Sequence, residues 1–171
     1  MFGMGSGNGS DDAIELLKQD HDEAESLFDQ YEDAKDEGNV ELKVQIAAAA
    51  CRALAVHAAV EEEVFYPALR TADETATDLL DEALVEHAAV KQLVAVIEAG
   101  SPDDPLYDAS VRVLGEYVKH HVKEEEGEIF PLARKADLDL NALAATMRTR
   151  KDALEAAPAR RRAARKPAAR H

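Results

Sequence analysis

The stretch HHVKEEEGEIFPLA, residues 120–133, and its earlier echo HAAVEEEVFYPAL, residues 57–69, organise the chain. Superposed, they set His57 on His121, Glu61 on Glu125, Glu62 on Glu126 and Pro67 on Pro131, with an apolar pair ahead of each proline. A histidine followed four residues later by a glutamate puts imidazole and carboxylate one turn apart on the same helix face. The chain uses this device twice, and two such pairs facing each other have the donors to hold metal.

The rest of the chain is built for helices. Apolar residues make up 46% and are mostly Ala, Leu and Val, with no tryptophan, eight glycines and six prolines. At 171 residues the chain is one domain with a full core. A single cysteine, Cys51, excludes an internal disulfide and fits a reducing compartment. The leader MFGMGSGNGS has no apolar run of signal-peptide type, and no window approaches about 18 apolar residues. A soluble, cytoplasmic protein is expected, without a membrane partner. Residues 157–171 carry six cations and no acid, so the body is more acidic than the net charge of −15 shows. Such a body repels nucleic acid, and the tail reads as a disordered basic extension.

Asp12 with Glu15 three residues on resembles a capping box and starts a helix whose apolar stripe is Ile14, Leu17, His21, Ala24, Phe28 and Tyr31. Gly38-Asn39 stops it. A second helix begins near Val40, carries Ile46, Ala50, Ala53, His57, Val60 with Glu61, and Val64 inward, and is kinked or given a short final turn by Pro67. Caps between Thr71 and Thr75 start a third, with Leu80, Leu84, His87, Lys91 or Val90, Val94 and Ile97 inward. Asp104 is expected as N-cap of the fourth, with Pro105 at its first position. Its stripe reads Leu114, Tyr117 with Val118, His121, Glu125 and Ile129. A shorter segment with Leu140, Leu143, Met147 and Leu154 on one side forms a fifth helix outside the bundle.

Short turns between long helices imply an all-α, up-down-up-down four-helix bundle over residues 11–135, after a flexible leader at 1–10 and before a packed helix at 136–156. In antiparallel helices two residues share a height when the turn falls midway between them. The midpoints of His21 and His57, of His57 and His87, and of His87 and His121 are positions 39, 72 and 104. All three fall on breakers. Four inward histidines therefore belong to one layer of the core.

A packed polar core is the competing reading of that layer. Burying two carboxylates near the axis costs several kcal/mol each, roughly, unless cations compensate them. The inward stripes offer at most Lys91, so metal ions are the better source of charge. Four imidazoles and two carboxylates without thiolate suit iron, manganese or zinc, and are too many for one tetrahedral ion. If Glu61 and Glu125 each bridge two six-coordinate ions and an oxygen atom bridges them again, two positions stay open for small ligands. The Glu-x-x-His arrangement of ferritin-like bundles is reversed here.

The order His21, His57-x-x-x-Glu61, His87, His121-x-x-x-Glu125 resembles the hemerythrin-like, or HHE cation-binding, family over roughly residues 11–135. The resemblance implies a four-helix bundle around a non-heme di-iron centre that binds O2 or related oxidants. His21, His57, His87 and His121 would be terminal ligands, Glu61 and Glu125 bridging carboxylates, with an oxo or hydroxo bridge. Oxygen-carrying members have a further histidine where this chain has Lys91. Its loss implies a more open pair, suited to peroxide or nitric oxide. Glu62, Glu124 or an inward Tyr117 are candidates for the vacated position, and Lys91 for stabilising bound peroxide. Catalase-like peroxide turnover is the expected activity, and a non-enzymatic iron or oxygen sensor or buffer the alternative.

Overall fold

The computed structural model describes residues 12–157; the leader at 1–10 and the basic tail at 158–171 lie outside them. Asp12 caps α1 (Ala13–Asp36) by accepting from the amides of Ile14 and Glu15 at 2.9 and 3.1 Å. Glu15 does not complete the capping box. Its carboxylate goes instead to Arg134 at 3.1 Å, and Arg134 also pairs with Asp12, closing the first helix onto the end of the fourth. Gly38 takes a φ of +70°, which lets the Asn39 amide return to the Ala34 carbonyl at 2.9 Å. Asn39 then caps α2 (Val40–Val60) through the amide of Leu42.

At Pro67 the helix does not stop, and it runs on for a short final stretch. It widens into a π turn, Glu61–Phe65, and continues as α3 (Tyr66–Ala72). A proline ring collides with the carbonyl four residues back and offers no amide hydrogen. One extra residue in the turn makes room for it, and the Tyr66 amide bonds the Glu61 carbonyl five residues back. The second copy does the same. After α4 (Thr77–Ala99), α5 (Tyr107–Glu124) passes through the π turn Glu125–Ile129 into α6 (Phe130–Lys135), which contains Pro131. The four rods form the expected up-down-up-down bundle. Helix α7 (Leu140–Ala156) lies across α1 and α2.

Six sequence expectations need correction. Helix α5 begins at Tyr107, so Pro105 is not its first residue. Asp104 stabilises the preceding turn by accepting from the Leu106 amide at 2.8 Å. Ala83 takes the inward place given to Leu84, which is 36% exposed, and Tyr117 is half exposed because Val118 alone fills that part of the stripe. A buried lysine was missed: Lys43 reaches Asp108 at 2.8 Å, as does the Tyr31 hydroxyl at 2.6 Å, tying α1, α2 and α5 together far from the histidines. Finally, the rod Val40–Ala72 is apolar enough by length and composition to cross a membrane, with a mean hydropathy of 1.3 in its richest window. More than half of that window is buried, because this rod is an inner wall of the bundle.

The core is divided in two. Ile14, Leu17, Phe65, Tyr66, Leu69, Leu80 and Phe130 form one apolar cluster, and Tyr31, Ile46, Leu54, Val94, Val111 and Leu114 another. The histidine layer lies between them.

Candidate metal centre

Each π turn begins on a glutamate that the structure buries completely, Glu61 and Glu125. His21, His57, His87 and His121 are each buried to within 8% exposure, and the structure brings all six residues together. They fall into two groups that share Glu61: His21, His57, Glu61 and Glu125 on one side, and Glu61, His87 and His121 on the other. His57 Nε2 lies 3.2 Å from Glu61 Oε1, and His87 Nε2 lies 3.2 Å from Glu61 Oε2. Glu125 Oε2 stands 3.2 Å from His21 Nε2 and 3.6 Å from His121 Nε2. Each carboxylate therefore serves a histidine from each half of the bundle.

The outer nitrogens show which way the rings are protonated. His21 Nδ1 meets Glu126 at 2.8 Å, His57 Nδ1 meets Asp20 at 3.3 Å, His87 Nδ1 meets Glu62 at 2.9 Å and His121 Nδ1 meets Glu86 at 2.7 Å. A carboxylate accepts only, so each Nδ1 carries the hydrogen and each neutral ring turns a lone pair inward from Nε2. Those inward lone pairs face other acceptors. His87 and His121 Nε2 are 3.3 Å apart, and the Nε2 atoms of His21 and His57, with Glu61 Oε1 and Glu125 Oε2, lack a hydrogen-bond partner among the described residues. Such a cluster needs cations inside it, either protons or metal. Without metal, protons take that role. Burial opposes a charged His57, but Glu61 and Asp20 hold its pKa well above the ordinary value. Burial would likewise raise Glu61, yet His57 and His87 hold it well below the carboxylate range, while burial and the Glu61 charge push Glu125 up. Buried imidazoles and carboxylates aimed at shared points are a donor set that fits divalent or trivalent metal.

Tyr66 brings a hydroxyl to the layer. It lies 3.0 Å from Glu125 Oε1 and 3.3 Å from Glu61 Oε2, and its ring stacks on His87 at 5.6 Å. Tyr66, not Tyr117, is thus the tyrosine of the site. Phe130 stacks on His21 at 5.8 Å with the rings 3° from parallel. Glu62 and Glu124 do not point into the centre: Glu62 bonds His87 and is gripped by Lys91 at 2.6 Å from both oxygens, and Glu124 bonds the exposed His120 at 3.2 Å. Lys91 therefore acts on His87 through Glu62, from a half-exposed position. Asp20 is held in the same way by Lys151 of α7 at 2.5 Å. The outer carboxylates Asp20, Glu86 and Glu126 escaped the sequence reading. All three had a signal: Asp20 and Glu86 each directly precede a layer histidine, and Glu126, like Glu62, directly follows a layer glutamate.

On the side away from the glutamates the four histidines border a cavity of about 60 Å³. Ala24, Leu54, Val90, Val118 and Val122 complete its walls, and Asp20, Glu23, Lys151 and Glu155 also line it. A water needs about 10–15 Å³ of such space, so the cavity has room for a few water-sized molecules.

A relative named DNA nickase, from Nostoc sp., is 29% identical over 122 residues, which are 70% of this chain and 33% of that protein. The chain thus spans about a third of that relative's length. A crystal structure of a Hemerythrin HHE cation binding domain-containing protein from Mycobacterium kansasii superposes with a TM-score of 0.71 at 25% identity, covering 84% of this chain and 86% of that one. The family described as Hemerythrin HHE cation binding domain matches residues 12–133, from the cap of α1 to the end of the second His/Glu repeat. With that span and the His/Glu layer inside it, the chain belongs to the hemerythrin HHE cation-binding domain family.

Proposed function

We propose that the chain is a non-heme di-iron protein that takes a small oxidant into the cavity beside its histidine layer and turns over peroxide. One observation carries this reading: four inward imidazole lone pairs and two buried carboxylates, arranged as two groups with a shared glutamate. His21 and His57 would hold one ion and His87 and His121 the other, with Glu61 and Glu125 between them. An iron pair, when bound, supplies redox equivalents for dioxygen, peroxide or nitric oxide.

The chain's own residues fix the rest of the chemistry. The outer carboxylates lock the histidine tautomers and make the imidazoles stronger donors. The Tyr66 hydroxyl is the nearest protic group, and burial beside Glu61 and Glu125 raises its pKa far above the usual value. It therefore keeps its proton and acts as a hydrogen-bond donor to the glutamates. The mostly aliphatic walls of the cavity leave room for a small molecule beside the histidines. The DNA nicking named for the Nostoc relative is not carried over. The shared region is a minor part of that protein, and a chain of net charge −15 repels a polyanion.

The test is metal content after purification without added metal, followed by absorbance and evolved O2 during peroxide addition. About two irons per chain with O2 release proportional to protein, lost in His57→Ala, is the expected result. Iron with a spectral change and no O2 release would assign the centre to sensing or buffering. No iron after anaerobic ferrous loading would overturn the reading. Asp20→Asn should keep the hydrogen bond to His57 but lose the charge, lowering metal affinity about 10- to 100-fold in competition with a coloured chelator.

A further inference from the structure

The two halves of the bundle repeat, but their outer faces differ. Aligning the repeats puts Val56 and Val60 where the second copy has His120 and Glu124. Val56 and Val60 are buried in the same apolar cluster as Ala144 and Met147 of α7. The matching face on α4 and α5 carries a polar group instead. His120 Nε2 lies 3.2 Å from Glu124 Oε1 and 3.5 Å from Glu86 Oε1, and one ligand atom from each of the three residues lies within 4.8 Å of the others. Neighbouring ligands on an ion bound at about 2.1 Å stand about 3 Å apart in an octahedron and about 3.4 Å in a tetrahedron. The two distances from His120 are close to that spacing. Its histidine is 61% exposed, so an ion from solvent can reach it.

What lies beneath the trio separates it from an ordinary surface ion pair. A narrow cleft between α4 and the second π turn is lined by Glu82, Glu86 and Glu124 and also by Glu125 and His121. Glu125 is fully buried, and its Oε2 has no hydrogen-bond partner. Glu86 belongs to both places, with Oε1 toward His120 and Oε2 on His121 Nδ1. The repeated His-x-x-x-Glu motif is thus doubled on α5: His121 and Glu125 face the core, and His120 and Glu124 run beside them on the surface.

We propose that Glu86, His120 and Glu124 form a surface site for a divalent cation, and that this site is where metal is captured before it passes to Glu125 and His121. The loading role rests on the inner centre holding metal. The surface site does not. Glu86 and Glu124 line the same cleft as Glu125 and His121, so the cleft joins the surface trio to the inner centre.

Mn²⁺ is the probe, added to full-length protein whose inner centre has first been filled with zinc. Paramagnetic broadening should appear at the amides around Glu86, His120 and Glu124, with affinity about tenfold weaker in Glu124→Gln. Glu124 is the residue to change because its carboxylate bonds His120 and not an inner histidine. In stopped-flow ferrous loading of the empty protein, Glu124→Gln should fill at least threefold more slowly yet reach the same final occupancy. Glu61→Ala should lose inner metal and keep the surface Mn²⁺ signal, so a failure of the di-iron reading is told apart from a failure of this one. Identical Mn²⁺ titrations of wild type and Glu124→Gln would overturn the site, and identical filling rates would overturn its loading role.

Discussion

Glu61→Ala is expected to take the metal content from about two ions per chain to none. Each oxygen of this carboxylate faces a different group, Oε1 toward His57 and Oε2 toward His87, so one truncation removes a donor from both ions. The effect should also appear as stability. A ligand held at 1,000 times its dissociation constant stabilises the fold by about 4 kcal/mol. For a chain of this size that raises the melting temperature by about 8–16 °C. Calorimetry of the wild type with and without metal should show this rise, and Glu61→Ala should show none. A variant that kept two ions and the full shift would remove Glu61 from the centre.

Phe130→Ala should be the most damaging change in the apolar core that leaves every proposed ligand in place. Phe130 is 3% exposed, stacks on His21 and meets Phe65 edge-on at 5.9 Å, joining the first π turn to the start of α6. Its truncation should cost about 3–5 kcal/mol. With a urea dependence of about 2 kcal/mol per molar, the unfolding midpoint falls by about 2 M. Phe130→Leu, which keeps most of the volume, should cost less than about 1.5 kcal/mol. Equal losses in the two variants would show that the aromatic stack, not filled volume, supplies the stability.

The histidine layer was legible because its information is carried by chain breaks. Gly38-Asn39 and the turns near 72 and 104 fix the heights of the rods, and height fixes which side chains meet. The π turns were not legible. A proline in a helical stripe reads as a kink, and nothing in Pro67 or Pro131 says that the helix will absorb it by widening one turn. That is also why the contact of Tyr66 with the carboxylates could not be foreseen: five residues beyond Glu61 it is off the α-helical stripe, and only a turn bonded from i to i+5 brings it back over the carboxylate. Tyr117 failed for the opposite reason, since a neighbour in sequence, Val118, took the inward place. Asp20, Glu86 and Glu126 were hidden among 35 acidic residues. Their role appears only when the rods are side by side, because each bonds a histidine on another helix.

The crossed contacts also bear on how such a bundle can arise. The first hairpin, α1 with α2, keeps His21, His57 and Glu61 for itself, but His21 depends on Glu125 and Glu126 of the second, and His87 of the second depends on Glu61 and Glu62 of the first. The exchange is reciprocal, residue for residue. Two identical hairpins meeting across a twofold axis would make the same exchange. Each half of the layer is thus completed by the other, and the symmetry is broken at Tyr66, whose place in the second repeat is taken by Phe130.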